Sequence, residues 1–302
     1  MRYANIFAVV GLCIALAFTV ILATSENAQS RDDCNSDAAP DALIKACSAA
    51  IRKDPKDASV LSQRAYAYVK KGDYTHAMLD LDAAIQLEPD AKDYNTRGAI
   101  YQRLGDFDRA IADHIKAIEL APKFIAPYDN LGNAFARKGD PDRAIASYNR
   151  VPLASPKFGL LNYEGRAYAY FQKGDFTAAA NDFAQLTSAE KTPFIDLYHY
   201  LSKSRSGSDA SSELLANAGL LDLKKWPGAL IEVFLGRRGP AAAISVASGE
   251  DQLCEAQFFV AEFYMLSKNR EAAIEAFKYA AKKCNFVAVE RFLAISELAR
   301  LN

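Results

Sequence analysis

Four glycines recur at nearly constant spacing through the first part of the chain, and this feature constrains the fold most. Gly72, Gly105, Gly139 and Gly174 follow one another at steps of 33, 34 and 35 residues. A fixed period of this size is the signature of stacked repeats, each of which is too small to bury its own apolar face. The spacing therefore predicts an array of similar units.

Other residue types keep fixed offsets from these glycines. An aromatic residue precedes each glycine by four positions, an aspartate follows it directly, and an alanine stands five positions after it. The aromatic residues are Tyr68, Tyr101, Phe135 and Tyr170, the aspartates Asp73, Asp106, Asp140 and Asp175, and the alanines Ala77, Ala110, Ala144 and Ala179. Glycine suits the left-handed residue that ends a helix, and aspartate caps the next helix. Small residues such as Gly98 and Gly132 would allow two helices to cross closely.

These residues together resemble the tetratricopeptide repeat, a pair of antiparallel helices. The resemblance covers about residues 58 to 190 and implies four units. It implies an all-α fold, a solenoid of antiparallel helix pairs with N- and C-terminal capping helices.

The segments before and after these four units have different expected structures. Residues 29–57 are expected to form an N-terminal cap, residues 191–250 an irregular helical segment, and residues 251–302 a repeat-like hairpin with a capping helix. Ala261, Tyr264 and Ala273 keep the repeat spacing in the last segment. Lys268 stands where the turn glycine would be, so we expect that turn to be built differently.

Residues 1–28 have the layout of a signal peptide or N-terminal anchor. Arg2 provides a positive start, residues 6–23 form an apolar run, and small and polar residues follow. We favour a cleaved signal over a retained anchor. Both predict a periplasmic or secreted protein, and the anchor would tether it to the membrane through this segment alone.

Four cysteines remain beyond this segment, and they fall into two locally spaced pairs. In an oxidising compartment they predict the disulfides Cys34–Cys47 and Cys254–Cys284. In the second pair, one cysteine would open a helix and the other would end its antiparallel partner. The alternative is four buried free thiols.

Composition and motifs favour a binding protein over an enzyme. Lys plus Arg number 36 against 37 Asp plus Glu, a balance that provides no general attraction to nucleic acid. We find no phosphate-binding glycine loop, no serine nucleophile between glycines and no zinc-helix His–Glu pair. We therefore predict no catalytic residue, no metal site and no cofactor, and we interpret His76, His114 and His199 as core or surface residues.

The predicted binding site is the concave groove that the first helices of the units would line. Repeat register places there Ser62, Tyr66, Lys70, Asn95, Ala99, Gln102, Arg103, Asp129, Asn133, Arg137, Glu164, Tyr168 and Phe171. We select Tyr66, Tyr168 and Phe171 as apolar anchors, Asn95 and Asn133 as hydrogen-bonding residues, and Lys70, Arg103 and Arg137 as a basic column. This column favours an acidic segment of a protein partner. The alternative is that these cations only complement helix dipoles.

The order of segments is also similar to NlpI-type periplasmic repeat proteins. The residues that carry this likeness are 226–236, WPGALIEVFLG, and 258–281, FFVAEFYMLSKNREAAIEAFKYAA. No lipidation cysteine is visible, which departs from that family. The resemblance implies an envelope adaptor that presents cell-wall hydrolases to a processing protease. The alternative is a general exported assembly or structural scaffold without a protease link.

Overall fold

A computed structural model describes residues 34, 38–152, 159–189, 192–286 and 288–302, which form helices and turns without a β-strand. The predicted signal or anchor, residues 1–28, lies outside the described residues. The chain divides into two compact units, Met1–Ile100 and Tyr101–Asn302, called here the N-terminal and C-terminal units.

The N-terminal unit consists of helices that pack on their sequence neighbours. They are α1 (Pro40–Lys53), α2 (Ala58–Lys71), α3 (Tyr74–Leu87) and the part of α4 (Ala91–Arg103) up to Ile100. α2 packs against both α1 and α3. One apolar cluster includes Leu43 and Val60, and a second includes Leu81 and Ile100. These clusters bury the faces that single hairpins would leave in water.

The C-terminal unit contains the end of α4 and the remaining helices. They are α5 (Phe107–Leu120), α6 (Ala126–Arg137), α7 (Pro141–Tyr148), α8 (Gly159–Lys173), α9 (Phe176–Ala189), α10 (Pro193–Arg205), α11 (Ser211–Ala218), α12 (Gly228–Phe234), α13 (Pro240–Ser245), α14 (Gly249–Leu266), α15 (Arg270–Lys283) and α16 (Val289–Leu301). Hairpins form from α6 and α7, from α8 and α9, and from α14 and α15. The last helix, α16, packs on α15 and also returns to α8.

The turns between paired helices are built as the repeat pattern predicts. All four turn glycines have a left-handed backbone, with φ between 76° at Gly72 and 89° at Gly174. The aspartate after each glycine caps the following helix. The Asp106 side chain, for example, accepts a hydrogen bond from the backbone N–H of Arg109. The main-chain N–H of Asp106 donates to the carbonyl of Tyr101 at 2.9 Å.

The prediction of a different turn at Lys268 is wrong. Lys268 adopts a left-handed backbone with φ of 59°, and Asn269 caps α15 through the backbone N–H of Ala272. The N–H of Asn269 donates to the carbonyl of Tyr264 at 2.9 Å, the same bond that the other turns make. The helix pair α14–α15 therefore imposes the repeat turn on a lysine, against its backbone preference.

A buried tyrosine explains why the third repeat requires glycine at two positions near it. Tyr148 ends α7 and is fully buried, with its ring between Gly132 on α6 and Gly165 on α8. A Cβ atom would lie 2.6 Å from the ring at Gly132 and 2.7 Å from it at Gly165. The glycines thus leave the space that the ring fills.

Buried charges join α16 to two other helices of the C-terminal unit. The Arg205 guanidinium on α10 pairs with Glu262 on α14 at 2.6 Å and with Glu297 on α16 at 3.1 Å. Both glutamates are completely buried. Burial and the Glu297 charge raise the pKa of Glu262 to about 8, against the opposing effect of Arg205.

Both predicted disulfides are present. Cys34 and Cys47 are bonded with their Cα atoms 4.7 Å apart, and Cys254 and Cys284 with theirs 5.4 Å apart. These separations fall within the range that disulfides require. The second bond joins α14 to the residue that ends α15.

Candidate functional site

The N-terminal unit contains an open cleft along α2. Its volume is about 400 Å³, and its lining includes residues of α1, α2 and α4. The lining residues are Ala38, Leu43, Ser62, Gln63, Tyr66, Lys70, Leu81, Lys92, Asp93 and Thr96. Two lysines and one aspartate give this cleft a small positive balance.

Tyr66 and Lys70 form a pair on the surface of this cleft. Tyr66 is 53% exposed, although a tyrosine is large and mostly apolar. The Lys70 ammonium lies 4.8 Å from the centre of its ring, a cation–π distance. The residues are one helical turn apart, so α2 itself sets their contact. An exposed aromatic beside an ammonium is suited to a partner segment with apolar and acidic groups.

Asp93 forms a polar part of the same cleft. Its Oδ2 accepts a hydrogen bond from the Ser62 hydroxyl at 2.6 Å. Burial raises the pKa of Asp93, and the bond from Ser62 opposes that rise. Asp93 thus links α2 to α4 within the unit.

Two other predicted residues lie outside the clefts described here. Asn95 is half-buried on α4. Arg103 is exposed at the end of the same helix, within the C-terminal unit. Neither residue lines the cleft along α2.

The C-terminal unit contains a longer cleft made of two connected cavities. They measure about 320 and 530 Å³ and share Leu161, Glu164, Tyr168 and Val289. Helices α6 and α8 supply one side, while α10, α14 and α16 supply groups on the other. We call them the Arg137 cavity and the Glu290 cavity.

The Arg137 cavity is lined by three of the selected residues, Asn133, Arg137 and Tyr168. Asn133 accepts a hydrogen bond from the Tyr148 hydroxyl at 3.0 Å and donates to Asp129. The Arg137 guanidinium lies 5.9 Å from the centre of the Phe292 ring, and burial lowers the pKa of Arg137. Burial and the Glu164 charge raise the pKa of Asp129 to about 6.

Tyr168 borders both cavities, but Phe171 does not reach either. Tyr168 is half-buried, and its ring packs edge-on against Tyr198 at 4.9 Å between centres. Phe171 is 0% exposed and packs against Phe176 in the main apolar core. Its prediction as a groove anchor is therefore wrong, because Phe171 faces the core while Tyr168, almost one helical turn earlier, faces the cleft.

The Glu290 cavity is acidic. Glu164 from α8, Glu255 from α14 and Glu290 from α16 line it, and no Lys or Arg does so among the described residues. Glu290 is 8% exposed, and its Oε1 accepts a hydrogen bond from the Tyr198 hydroxyl at 3.1 Å. Burial is the main cause that raises the pKa of Glu290 to about 7, and the Glu255 charge adds to it.

Apolar side chains surround these carboxylates. Leu160 and Leu161 begin α8 and are 46% and 56% exposed at the edge of the Glu290 cavity. Phe194, Ile195 and Val289 continue the apolar lining. Exposed leucines beside one buried and two half-buried carboxylates give this cavity the chemistry of a binding surface rather than of a packed core.

Sequence reasoning placed Asp129 and Glu164 in the groove but missed Glu255, Glu290 and Phe292. The last two lie on α16, which reaches α8 across more than a hundred residues of chain. A repeat register aligns residues within neighbouring units, so it contains no signal for such a distant contact. The acidic character of this cleft therefore becomes visible only in the folded chain.

The three histidines lie in different environments. His114 is fully buried on α5, and burial lowers its pKa to about 4, so it is neutral at physiological pH. His76 lies 2.7 Å from Asp73 on the surface, and His199 is buried near Glu213. Within the described ranges, no three His, Cys, Asp or Glu side chains are grouped to hold a metal ion. The described helices also include none with the length and apolarity needed to cross a membrane.

Comparison with known families identifies the repeats. Models of the family described as tetratricopeptide repeat match residues 58–91, 91–124 and 128–151. The chain is a tetratricopeptide-repeat protein of the all-α solenoid class. Proteins of this class are in general scaffolds for protein–protein interaction. No curated protein matches the chain.

A solved structure shows the same fold. A tetratricopeptide repeat protein from Parabacteroides merdae has a TM-score of 0.56 at 19% identity, covering 79% of this chain and 98% of its own. MamA has a TM-score of 0.46 at 24% identity over 49% of this chain and 87% of its own. The type IV pilus biogenesis factor PilW has a TM-score of 0.47 at 16% identity, covering 74% of this chain and 92% of its own. The first of these supports the fold alone.

Proposed function

We propose that this protein is an exported adaptor without enzymatic activity, which binds segments of other proteins in clefts along the first helices of its repeats. The observation that carries the proposal is the Tyr66–Lys70 pair: an exposed aromatic ring under an ammonium group, beside a cleft of about 400 Å³. An aromatic ring that is exposed in the free protein and becomes buried on binding is the kind of anchor that supplies most of the binding energy at protein interfaces.

Export is supported by the disulfides and by the layout of residues 1–28. Two structural disulfides are typical of proteins that fold in an oxidising compartment. A signal peptide or anchor at residues 1–28 would deliver the chain there. The periplasmic or secreted location, and any membrane tether through this segment, belong to the proposal.

The partner at the N-terminal cleft is proposed to be an acidic segment. Lys70 and Lys92 line that cleft, and Asp93 is the one carboxylate among its described lining residues, so an acidic segment is complementary to it. Of the predicted basic column, Lys70 lines the N-terminal cleft, whereas Arg103 and Arg137 belong to the C-terminal unit. The dipole explanation applies equally to Lys70, because it lies in the last turn of α2.

The resemblance to NlpI-type proteins suggests a more specific role. On that reading, the adaptor links envelope hydrolases to a processing protease. The alternative is an exported assembly scaffold with no protease partner. The identity of the captured partners separates these two roles.

Affinity capture from envelope extract, followed by mass spectrometry, tests the proposal. The wild type is compared with Tyr66→Ala/Lys70→Ala and with the control Leu79→Ala/Lys56→Ala, whose residues are exposed outside the cleft. We expect a reproducible partner with wild type and control and its loss with the cleft variant. A hydrolase or protease would support the NlpI-type role. Equal capture by all three folded proteins would contradict the N-terminal cleft as the site.

A further inference from the structure

The Glu290 cavity differs from the N-terminal cleft in charge, and this difference selects its partner. Glu164, Glu255 and Glu290 enter it from three helices, and none of its described lining residues is a Lys or Arg. The nearest cation in the connected cleft, Arg137, lines the other cavity and lies over Phe292. Among its described lining residues, the Glu290 cavity thus gathers negative charge without a Lys or Arg.

The buried carboxylate of Glu290 indicates which kind of group would complement this cavity. Its carboxylate is more than nine-tenths buried, and the charge of Arg137, which lines the neighbouring cavity, compensates it only in part. A buried carboxylate is costly unless a cation pairs with it. The Tyr198 hydroxyl satisfies one oxygen by a neutral hydrogen bond, which compensates the charge only in part.

The shape of the cavity also suits a polypeptide segment. Its volume of about 530 Å³ is within the range of ligand-binding clefts and leaves room for more than a single ion. Leu160 and Leu161 present apolar surface at its edge, and the Tyr168 ring forms part of its wall. Apolar and anionic groups that stand side by side favour a cationic side chain flanked by apolar ones.

We propose that the Glu290 cavity binds a segment of another protein in which Lys or Arg stands next to leucine-like side chains. The cationic group would lie between Glu164, Glu255 and Glu290, and the apolar side chains would contact Leu160 and Leu161. This inference rests on the proposed adaptor function and adds a second specificity, opposite in charge to that of the N-terminal cleft.

Two synthetic peptides test the inference on the full-length chain. One combines Lys and Arg with leucine and serine, and its counterpart has Glu in place of each basic residue. Their affinities are measured by fluorescence anisotropy at low and at physiological ionic strength. The variant is Glu164→Gln/Glu255→Gln, which removes two charges from the cavity while retaining hydrogen-bonding side chains. The control Glu250→Gln/Glu271→Gln removes two exposed charges outside the cavity.

We expect the basic peptide to bind the wild type and the control, and to lose about tenfold or more in affinity on the cavity variant at physiological ionic strength. Equal loss on the control would indicate only general attraction and would overturn the inference. Unchanged binding to the cavity variant, or no binding of the basic peptide, would also overturn it.

These results separate the inference from the adaptor function. One result would leave the adaptor function standing and overturn the inference. In it, capture of a partner is lost in the Tyr66→Ala/Lys70→Ala variant, while the affinity for the basic peptide is unchanged in the Glu164→Gln/Glu255→Gln variant. If no partner is captured and neither peptide binds, both fail. Circular dichroism of each variant establishes that folding is retained.

Discussion

The two units use the same repeat turns but form clefts of different character. In the N-terminal unit, the cleft along α2 has an exposed aromatic ring, two lysines and one carboxylate. In the C-terminal unit, α14 and α16 add Glu255 and Glu290 to a cleft along α8. The comparison shows that helices beyond the regular repeats can change the binding chemistry of a repeat surface.

The largest expected effect distinguishes two aromatic residues that the repeat register treats alike. Phe171→Ala should lower the free energy of unfolding by about 3–5 kcal/mol, because it removes a completely buried ring. Tyr66→Ala should change it by less than about 0.5 kcal/mol, since most of that ring is in water. Urea denaturation followed by circular dichroism measures both. Similar small effects would mean that Phe171 is not in the core.

The Glu290 carboxylate provides a pH test of the C-terminal cleft. Because its pKa is raised to about 7 in the folded state, its contribution to stability is present below about pH 4.5 and is lost as the pH rises through about 7. The groups that act on it are Arg137, Glu255, Tyr198 and Tyr168.

Glu290→Gln should therefore be more stable than the wild type near pH 8, by up to about 3 kcal/mol, and of similar stability near pH 4. Denaturation at several pH values measures this, with Glu250→Gln as an exposed control that should follow the wild type. A wild type that gains stability relative to Glu290→Gln as the pH rises would contradict the burial of this charge.

The disulfides provide one comparable bond in each unit. Removal of Cys34–Cys47 or of Cys254–Cys284 by paired Ala substitutions should lower stability by roughly 3 kcal/mol in either case. Peptide mapping of the non-reduced protein should recover both linked pairs. Free thiols at all four positions would refute the oxidised state and weaken the case for export.

The smallest expected effect concerns the packing of α6, α7 and α8. Gly132→Leu should lower the free energy of unfolding by about 1–3 kcal/mol, because its Cβ alone would overlap the Tyr148 ring. Gly239→Leu is the matched control, since Gly239 is exposed and a Cβ there meets no atom within 4 Å. Thermal melts that match the wild type for both variants would mean that Tyr148 does not fill this space.

Much of the fold could be predicted because repeat turns are local. Gly72 and Asp73, for example, fix a helix end and a cap through contacts within a few residues. At Lys268 the same local reasoning failed, since helix packing imposed a left-handed backbone on a lysine. Both disulfides were predictable from the spacing of the cysteines, and antiparallel geometry supported the second.

The candidate sites were predictable only in part. Tyr66, Lys70, Asn133, Arg137 and Tyr168 do line clefts, as their register suggested. Phe171 does not, because a difference of three residues on a helix turns a side chain from the cleft to the core. Glu255 and Glu290 could not be anticipated, since they reach the cleft through long-range packing of α14 and α16.

The central claim is that the two units bind protein segments of opposite charge. Hydrogen–deuterium exchange of the full-length chain with the basic and the acidic peptide tests it most directly. The basic peptide should protect the start of α8, α14 around Glu255 and the start of α16, and the acidic peptide should protect α2 around Tyr66 and Lys70. Protection of the same segments by both peptides, or protection confined to α3, α5 and α9, would contradict the account.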